Sequence, residues 1–206
     1  TEVGIGQVEI GLFNRIILRD VRVEDQSGRT LLDADLLSAK IALAPLVDGV
    51  ISLRSVSLLD ASVCLYKDKP QGPINFGFII DAFKTGSDKD STPLNLRVNS
   101  LILRRCQVSY DELYRPRKHD VLDTSHLSVQ DINANLSLKK LTSENLVLRV
   151  RDLCFREQSG LDVRSLTFRL SADRYQCSVS RFDLVLPRSR VSNDRLTATY
   201  DAATLD

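Results

Sequence analysis

The chain has 206 residues, of which 43% are hydrophobic, and its 28 Lys and Arg residues nearly balance its 27 Asp and Glu residues. The formal net charge of +1 excludes the strong overall charge of a general nucleic-acid binder and indicates no strongly acidic partner. No apolar run of about 18 residues is present to form a membrane-spanning helix or a secretory leader. Because the chain begins at Thr1 and contains no Met, we expect a fragment of a longer protein.

A repeated spacing of apolar residues runs through the chain. In its clearest copy, Ile51–Leu65, apolar residues alternate, skip two positions, alternate again, skip two more and alternate once more. Alternation with period two is typical of a half-buried strand. A skip of two keeps the apolar side chains on one face only if an extra residue is absorbed as a bulge. The pattern therefore predicts long, bent strands with one apolar face.

The same spacing predicts strands in chain order over residues 3–10, 16–23, 32–43, 51–65, 96–103, 127–134, 148–155, 161–168 and 177–184. The skipped positions are usually polar, as in Arg19-Asp20 and Arg54-Ser55. Bulges that line up on neighbouring strands would curve the sheet across its width. We therefore expect an all-β fold, an elongated and strongly curved antiparallel sheet shaped as a half-pipe. The alternative is a set of ordinary strands with coincidental skips.

The connections between these strands fit hairpins and meanders. Asp25–Arg29 and Glu157–Gly160 are near-duplicate turns, each with a Gly for positive φ, and loops are predicted over 67–73, 85–93 and 114–120. Helix is scarce: one short turn over 45–49 and one helix over 76–83, with Phe and Ile at helical spacing. So little helix cannot cover an apolar sheet face. The face must pack on another sheet, fold over on itself or meet something apolar outside the chain.

Motifs for catalysis or metal binding are not found in the sequence. His119 and His126 have no Cys or carboxylate at metal-ligand spacing, and the glycines are too few for a phosphate cradle. The four cysteines are too widely spaced for a zinc site, and the sequence leaves their pairing open: Cys64, Cys106, Cys154 and Cys177. We therefore predict a protein that is not an enzyme and needs no cofactor or metal. The basic cluster Arg115, Arg117 and Lys118 is interpreted as a solvated loop, with contact to anionic head groups as the alternative.

Two segments resemble a known family. The runs NRIILRDVRVEDQSGRTLLDADLLSAKIAL (14–43) and PLVDGVISLRSVSLLDASVCLYKDKPQGPINFGFIIDAF (45–83) are similar to the N-terminal region of the AsmA/TamB family of Gram-negative envelope proteins. The shared order is strand, short Pro-Leu turn, long strand with Asp-Ala, loop, Asn-Phe and short helix. The segment 155–190 resembles later strands of the TamB type. On this resemblance, residues 1–206 form one elongated domain, with an AsmA-like part over about 1–90 and further repeat strands over 91–206.

The resemblance implies a folded sheet, the β-taco, with a hydrophobic groove that carries phospholipids between the inner and outer membranes. It implies a periplasmic location, an inner-membrane anchor missing from this fragment, and an outer-membrane barrel partner bound through a missing C-terminal region. No nucleic acid is expected as a partner. Phospholipid acyl chains would contact the following residues, which have no chemical role beyond being apolar: Ile16, Leu18, Val21, Val23, Ile51, Leu53, Val56, Leu58, Leu96, Val98, Leu101, Leu103, Leu148, Val150, Leu153 and Phe155.

Two other functions fit the same pattern. The first is a scaffold for outer-membrane protein assembly or secretion, whose own strands seal its core and whose edge strands receive client strands by augmentation. The second is a surface carbohydrate-binding sandwich, which the absence of Trp and the presence of only five Tyr disfavour. The sequence does not separate an open apolar groove from a closed core.

Overall fold

The computed structural model of the chain describes residues 2–42, 52–77, 97–118, 121–141 and 146–199. Twelve strands account for most of them. Their bounds are β1 Val3–Gly11, β2 Arg15–Glu24, β3 Thr30–Ala42, β4 Ser52–Lys67, β5 Arg97–Val98, β6 Ser100–Glu112, β7 His126–Leu141, β8 Leu146–Glu157, β9 Asp162–Val163, β10 Ser165–Ala172, β11 Gln176–Leu186 and β12 Ser189–Thr199.

All twelve strands belong to one open sheet. The order is β1-β2-β3-β4-β6-β7-β8-β10-β11-β12, with the short β5 beside β4 and the short β9 beside β8. β1 and β12 are therefore its two edges within the described part of the chain. The prediction of an all-β fold with a curved sheet is confirmed. One junction departs from the antiparallel pattern, because β4 runs parallel to β5 and β6.

Apolar residues form four rows that cross the sheet, because residues paired on neighbouring strands share a face. The first row consists of Ile10, Ile16, Ala39, Val56, Leu101, Leu136, Val150 and Phe168. The second consists of Val8, Leu18, Leu37, Leu58, Leu103, Ala134 and Leu153. The third consists of Ile5, Val21, Ala34, Ala61, Cys106 and Ile132, and the fourth of Val3, Val23, Leu32, Val63, Val108 and Val129.

The skips in the sequence coincide with bends in the strands. Five strand residues other than Gly have positive φ, and each lies at a predicted or equivalent skip: Asp20, Asp60, Arg105, Asp131 and Arg181. The first three lie at one level of the sheet, together with Asp35 of β3, between the second and third apolar rows. Register shifts mark further bends near Arg54 and Arg151. The bends therefore line up over neighbouring strands, as a sharply curved sheet requires.

The predicted turns agree with the structure where it describes them. Gly28 and Gly160 have φ of 75° and 98°, so both near-duplicate turns use the conformation that favours glycine. β4 ends at Lys67, where the first predicted loop begins. The predicted helical turn at 45–49, the loop at 85–93 and most of the helix at 76–83 lie outside the described residues. Within the described part, no helix is long and apolar enough to span a membrane.

Candidate functional site: the apolar face

The apolar face of the sheet brings most of the predicted groove residues together. Those of β2, β4, β6 and β8 occupy the first three rows, with four exceptions. Val23 lies in the fourth row, Leu53 and Leu148 lie beyond the first row, and Phe155 pairs with Val163 of β9. Beyond the first row, Leu53 pairs with Ile41 and Val98, and Leu148 pairs with Leu138 and Leu170. Ile51 and Leu96 lie outside the described residues, and the structure places the backbone of Val98 but not its side chain.

The exposure of this face shows that no second layer of described residues covers it. Of the predicted groove residues whose side chains are described, only Val21 and Val150 are buried, and the others are half-buried. On the edge strand β1, the same face is more open, since Val8 is 60% exposed and Ile10 is 88% exposed. A closed sandwich would bury such side chains almost completely. The described strands therefore form an open apolar surface rather than a sealed core.

The best-buried part of the apolar face contains small side chains. A cluster of Val21, Ala34, Ala61, Cys106, Ile132 and Ala134 lies beside the aligned bends, and half-buried residues such as Leu18, Leu58 and Phe155 pack against it. Ala34 is fully buried. Small residues at a bend let the larger side chains of neighbouring rows approach one another. The sheet is thus most enclosed along its line of bends, and the apolar surface continues on both sides of that line.

The polar face carries ion pairs at the bends. Arg105 Nε donates to Asp60 Oδ1 at 2.7 Å, and Arg156 Nε donates to Asp131 Oδ2 at 2.9 Å. The hydrogen bond from Arg105 and its positive charge outweigh partial desolvation and hold the pKa of Asp60 below its usual value. Asp60, Arg105 and Asp131 line a shallow, polar concavity with Ser62 and Gln107. Because these three charged residues are already held in ion pairs, we assign the concavity a structural role.

Buried carboxylates organise the turns at one end of the sheet. Asp25 accepts hydrogen bonds from the backbone N–H groups of Ser27 and Arg29, from the Tyr66 hydroxyl at 2.5 Å and from Asn75 Nδ2 at 3.3 Å. Asn75 also accepts from the Tyr66 N–H and donates to the carbonyl of Cys64. This network joins the β2–β3 turn to the end of β4 and the loop that follows. The sequence pattern did not predict this network, although the Asn-Phe pair of the family resemblance contains Asn75.

A second group of capped turns contains the one described histidine. Glu157 is 7% exposed and accepts from the backbone N–H groups of Ser159 at 2.7 Å and Ser128 at 3.4 Å. His126, the first residue of β7, places Nδ1 3.0 Å from Asp123 Oδ2, and Asp123 also accepts from the Lys118 N–H. The side chain of His126 is 7% exposed, although the residue as a whole is half-buried.

A cleft of about 270 Å³ lies beside this group, lined mainly by polar side chains from the 114–120 loop region and the second near-duplicate turn. Its carboxylates accept backbone hydrogen bonds and its Arg117 is paired with Asp111 at 2.7 Å. Within the described residues, no cluster of His, Cys, Asp and Glu has the geometry to hold a metal ion. The four cysteines are free thiols, of which Cys106 is buried and the others are half-buried.

Neither a family model nor a curated protein matches the chain. The apolar face, the bends and the charges described above are therefore the features that bear on function.

Proposed function

We propose that this chain is a non-catalytic segment that binds the acyl chains of phospholipids on its apolar face. The observation that carries the proposal is the set of four apolar rows, which cross the sheet without a covering layer of described residues. Acyl chains need no hydrogen-bonding partner, and they favour a continuous apolar wall. Exposed apolar patches of this extent are rare on proteins that have no partner for them.

The proposed biological setting follows the AsmA/TamB-like resemblance. In that setting the segment lies in the periplasm, belongs to a protein anchored in the inner membrane, and carries phospholipid towards the outer membrane along the groove. The curvature of the sheet supports this setting, because the bends at Asp20, Asp60 and Arg105 are aligned on neighbouring strands beside the buried apolar cluster. The long strands support it as well: β4 has 16 residues, which span roughly 50 Å at ordinary strand rise.

The test is the lipid content of the purified protein. We expect mass spectrometry of gently purified wild-type protein to detect bound phospholipid. Leu101→Asp should reduce the bound lipid severalfold, because Leu101 is half-buried in the first row and a carboxylate there interrupts the apolar wall. The matched control is Gln107→Asp, which introduces the same carboxylate at an exposed position of the same strand.

Circular dichroism must show the same strand content for both variants before their lipid contents are compared. If the wild-type protein binds no phospholipid under these conditions, acyl binding by this segment is wrong. Equal lipid content in the two variants would place any bound lipid elsewhere on the molecule.

A second candidate function is a scaffold that receives client strands on its edge. The observation that favours it is β1, an edge strand on which Val3, Ile5, Val8 and Ile10 are 42% to 88% exposed. An added strand with the same apolar spacing would extend both the hydrogen-bond ladder and the four apolar rows. The closed core that accompanied this alternative does not fit the half-buried apolar face.

Proline substitution at the edge separates the two functions. Val8→Pro removes one backbone N–H from β1 and disfavours strand addition. If β1 receives client strands, this variant loses client binding and keeps its lipid. If the chain acts only through acyl binding, the variant keeps its lipid and no client binding is detected in the wild-type protein.

A further inference from the structure

The polar face of β8 to β12 carries many arginines, and the net charge of this end of the sheet is opposite in sign to that of the end that begins with β1. Residues 146–199 contain ten arginines and no lysine, against five aspartates and one glutamate, a net charge of +4. Residues 2–42 contain five Lys or Arg against seven Asp or Glu, a net charge of −2. The net charge of +1 for the whole chain therefore hides a separation of charge between the two ends of the sheet.

Three of these arginines lie in one row. Arg149 on β8 is paired directly with Arg169 on β10, and Arg169 is paired on its other side with Ser180 of β11. Ser180 is in turn paired with Arg195 of β12. Paired residues share a face, so the three side chains lie on the polar face, and all three residues are exposed. Like charges directly opposite each other are unfavourable for the isolated sheet.

Two further arginines flank this row at bends. Arg151 lies at the register shift of β8, and Arg181 has φ of 54° on β11; both are exposed. At the equivalent bend positions of β4 and β6, the side chains of Asp60 and Arg105 meet on the polar face. We refer to the following five residues as the arginine patch: Arg149, Arg151, Arg169, Arg181 and Arg195.

Among the described residues, the arginines of the arginine patch have no carboxylate partners, unlike three arginines elsewhere on the polar face. Arg105, Arg156 and Arg190 pair with Asp60, Asp131 and Asp183. In the part of the chain that the structure describes, none of the five patch arginines forms an ion pair. The carboxylates adjacent to the patch in sequence, Asp152 and Asp194, likewise form no ion pair with it. The patch thus presents uncompensated guanidinium groups on a broad, open surface.

We propose that the arginine patch docks this face of the sheet onto a membrane surface rich in anionic phospholipids. A guanidinium group binds two phosphate oxygens at once, which a lysine ammonium does not do in the same planar geometry. The Cβ atoms of directly opposed residues are about 5 Å apart, so Arg149 and Arg169 can share one phosphate group. Arg149 and Arg169, whose like charges repel each other in the isolated sheet, then bind the same phosphate group.

The chemistry of the surrounding surface favours a membrane over nucleic acid. Single-stranded nucleic acid is bound by cations interleaved with aromatic side chains that stack on the bases. The row of Arg149, Arg169 and Arg195 contains no aromatic residue, only Ser180. The nearest aromatic residue in sequence, Phe168, is paired with Val150 and lies on the opposite, apolar face. The docking proposal does not depend on acyl binding, because it uses the other face of the sheet.

Vesicle co-sedimentation tests the proposal. The wild-type chain should bind vesicles of phosphatidylglycerol mixed with phosphatidylcholine, bind pure phosphatidylcholine vesicles weakly, and lose binding as salt is raised. The variant R149Q/R169Q/R195Q should bind about a hundredfold more weakly, since each arginine near an anionic surface contributes about a fivefold factor. The control R15Q/R54Q/K69Q removes the same charge from exposed positions elsewhere and should retain most of the binding.

Each other outcome overturns the proposal. Equal losses in the two triple variants would mean attraction by net charge alone. Binding of inorganic phosphate or of a single-stranded oligonucleotide without vesicle binding would assign the patch to another ligand. If the triple variant does not fold, the single variant R169Q should still bind about fivefold more weakly. Unchanged binding by that variant would rule the patch out.

Discussion

Asp25 is the most deeply buried charged residue among those described, at 1% exposure, and its environment explains how a carboxylate is tolerated there. Burial alone would raise the pKa of Asp25, but the hydrogen bonds from Tyr66, Arg29, Ser27 and Asn75 outweigh it and hold the pKa below its usual value. The same contact, together with burial, raises the pKa of Tyr66. The charge is therefore stabilised by donors from three segments of the chain.

Removing the Tyr66 hydroxyl should destabilise the fold. Tyr66→Phe deletes the 2.5 Å hydrogen bond to Asp25 and leaves that buried carboxylate with fewer donors. We expect a loss of about 2 kcal/mol in the free energy of unfolding, the usual value for a hydrogen bond to a charged group. Urea unfolding followed by circular dichroism measures it. Tyr175→Phe, at a residue that is 68% exposed, is the control and should change stability by less than about 0.5 kcal/mol.

The lowered pKa of Asp25 also predicts how stability depends on pH. A carboxyl group whose pKa is lower in the folded state than in the unfolded state stabilises the fold above the unfolded pKa, about 3.9 for Asp. That contribution is lost as the pH falls through the folded pKa. Asp25→Asn should therefore be destabilising near neutral pH, and the difference from wild type should shrink below about pH 4. A difference that stayed constant across this range would contradict the prediction.

The sequence predicted the turns at Gly28 and Gly160 but not the contacts of Asp25. The glycines Gly28 and Gly160 indicated both turns, because a Gly after a short polar run is typical of a turn that needs a residue with positive φ. The partnership of Asp25 with Tyr66 and Asn75 was not predictable, because it joins residues about 40 and 50 positions apart and neither partner is unusual in its own segment. Such a contact follows from strand order, which spacing along one strand does not encode.

At the scale of the strand, the skipped positions prove to be backbone bends. Asp20, Asp60 and Asp131 have φ between 50° and 53°, a left-handed conformation that Asp tolerates better than most residues. The polar residues at the skipped positions therefore indicated a left-handed backbone conformation as well as exposure to solvent. Strand β12 was missed because Asn193 occupies one apolar slot of the repeated spacing, and every residue of β12 is exposed.

Substitution by a β-branched residue distinguishes a bend position from an ordinary strand position. Asp60 on β4 and Asp35 on β3 occupy the same level of the sheet, but only Asp60 has positive φ. Asp60→Val should lower the free energy of unfolding by about 2 kcal/mol, because a β-branched side chain clashes with the backbone in that conformation. Asp35→Val should be neutral or stabilising, because Val favours extended strands. Urea unfolding measures the stability of both variants. Equal effects on the free energy of unfolding would show that the positive φ of Asp60 is not the cause of the destabilisation.

At the scale of the molecule, each long strand makes its main contacts with its immediate neighbours in the sheet. Stability in such an arrangement is approximately a sum of nearest-neighbour terms, as in repeat proteins. The buried cluster lies on β2 to β7, whereas β12 is wholly exposed and β1 nearly so. Protection from solvent should therefore be uneven across the sheet.

Hydrogen exchange monitored by mass spectrometry measures this gradient. The amides of β3, β4, β6 and β7 should exchange most slowly, and those of β1 and β12 should exchange fastest. Phospholipid bound on the apolar face should slow exchange most on the strands that contribute to the four rows. Uniform protection across all strands, with a single cooperative opening, would contradict the nearest-neighbour description.

The sequence predicted the curved sheet because an apolar face and skipped positions can be recognised in individual strands. It predicted hairpins and meanders, in which successive strands are neighbours, but not the register between the strands or the parallel junction. The pairing of Val56 with Leu101 across a parallel junction, and of Arg149 with Arg169 across an antiparallel one, depends on register between strands that are distant or separated by a turn. The arginine patch could therefore not be predicted from the sequence, because only the strand order and register show that these residues are neighbours.

The parallel junction between β4 and β6 also determines the order in which the chain can fold. The neighbours β1 to β4 follow one another along the chain, as do β6, β7 and β8, and β10, β11 and β12, so most pairings close short loops. Pairing of β4 with β6 brings together strands that are separated by residues 68–99 in the chain, a connection much longer than a hairpin turn. Closing that longer loop costs more conformational entropy than any hairpin turn here. Two meanders should thus form first, and their docking at this junction should be the slow step that joins the groove into one surface.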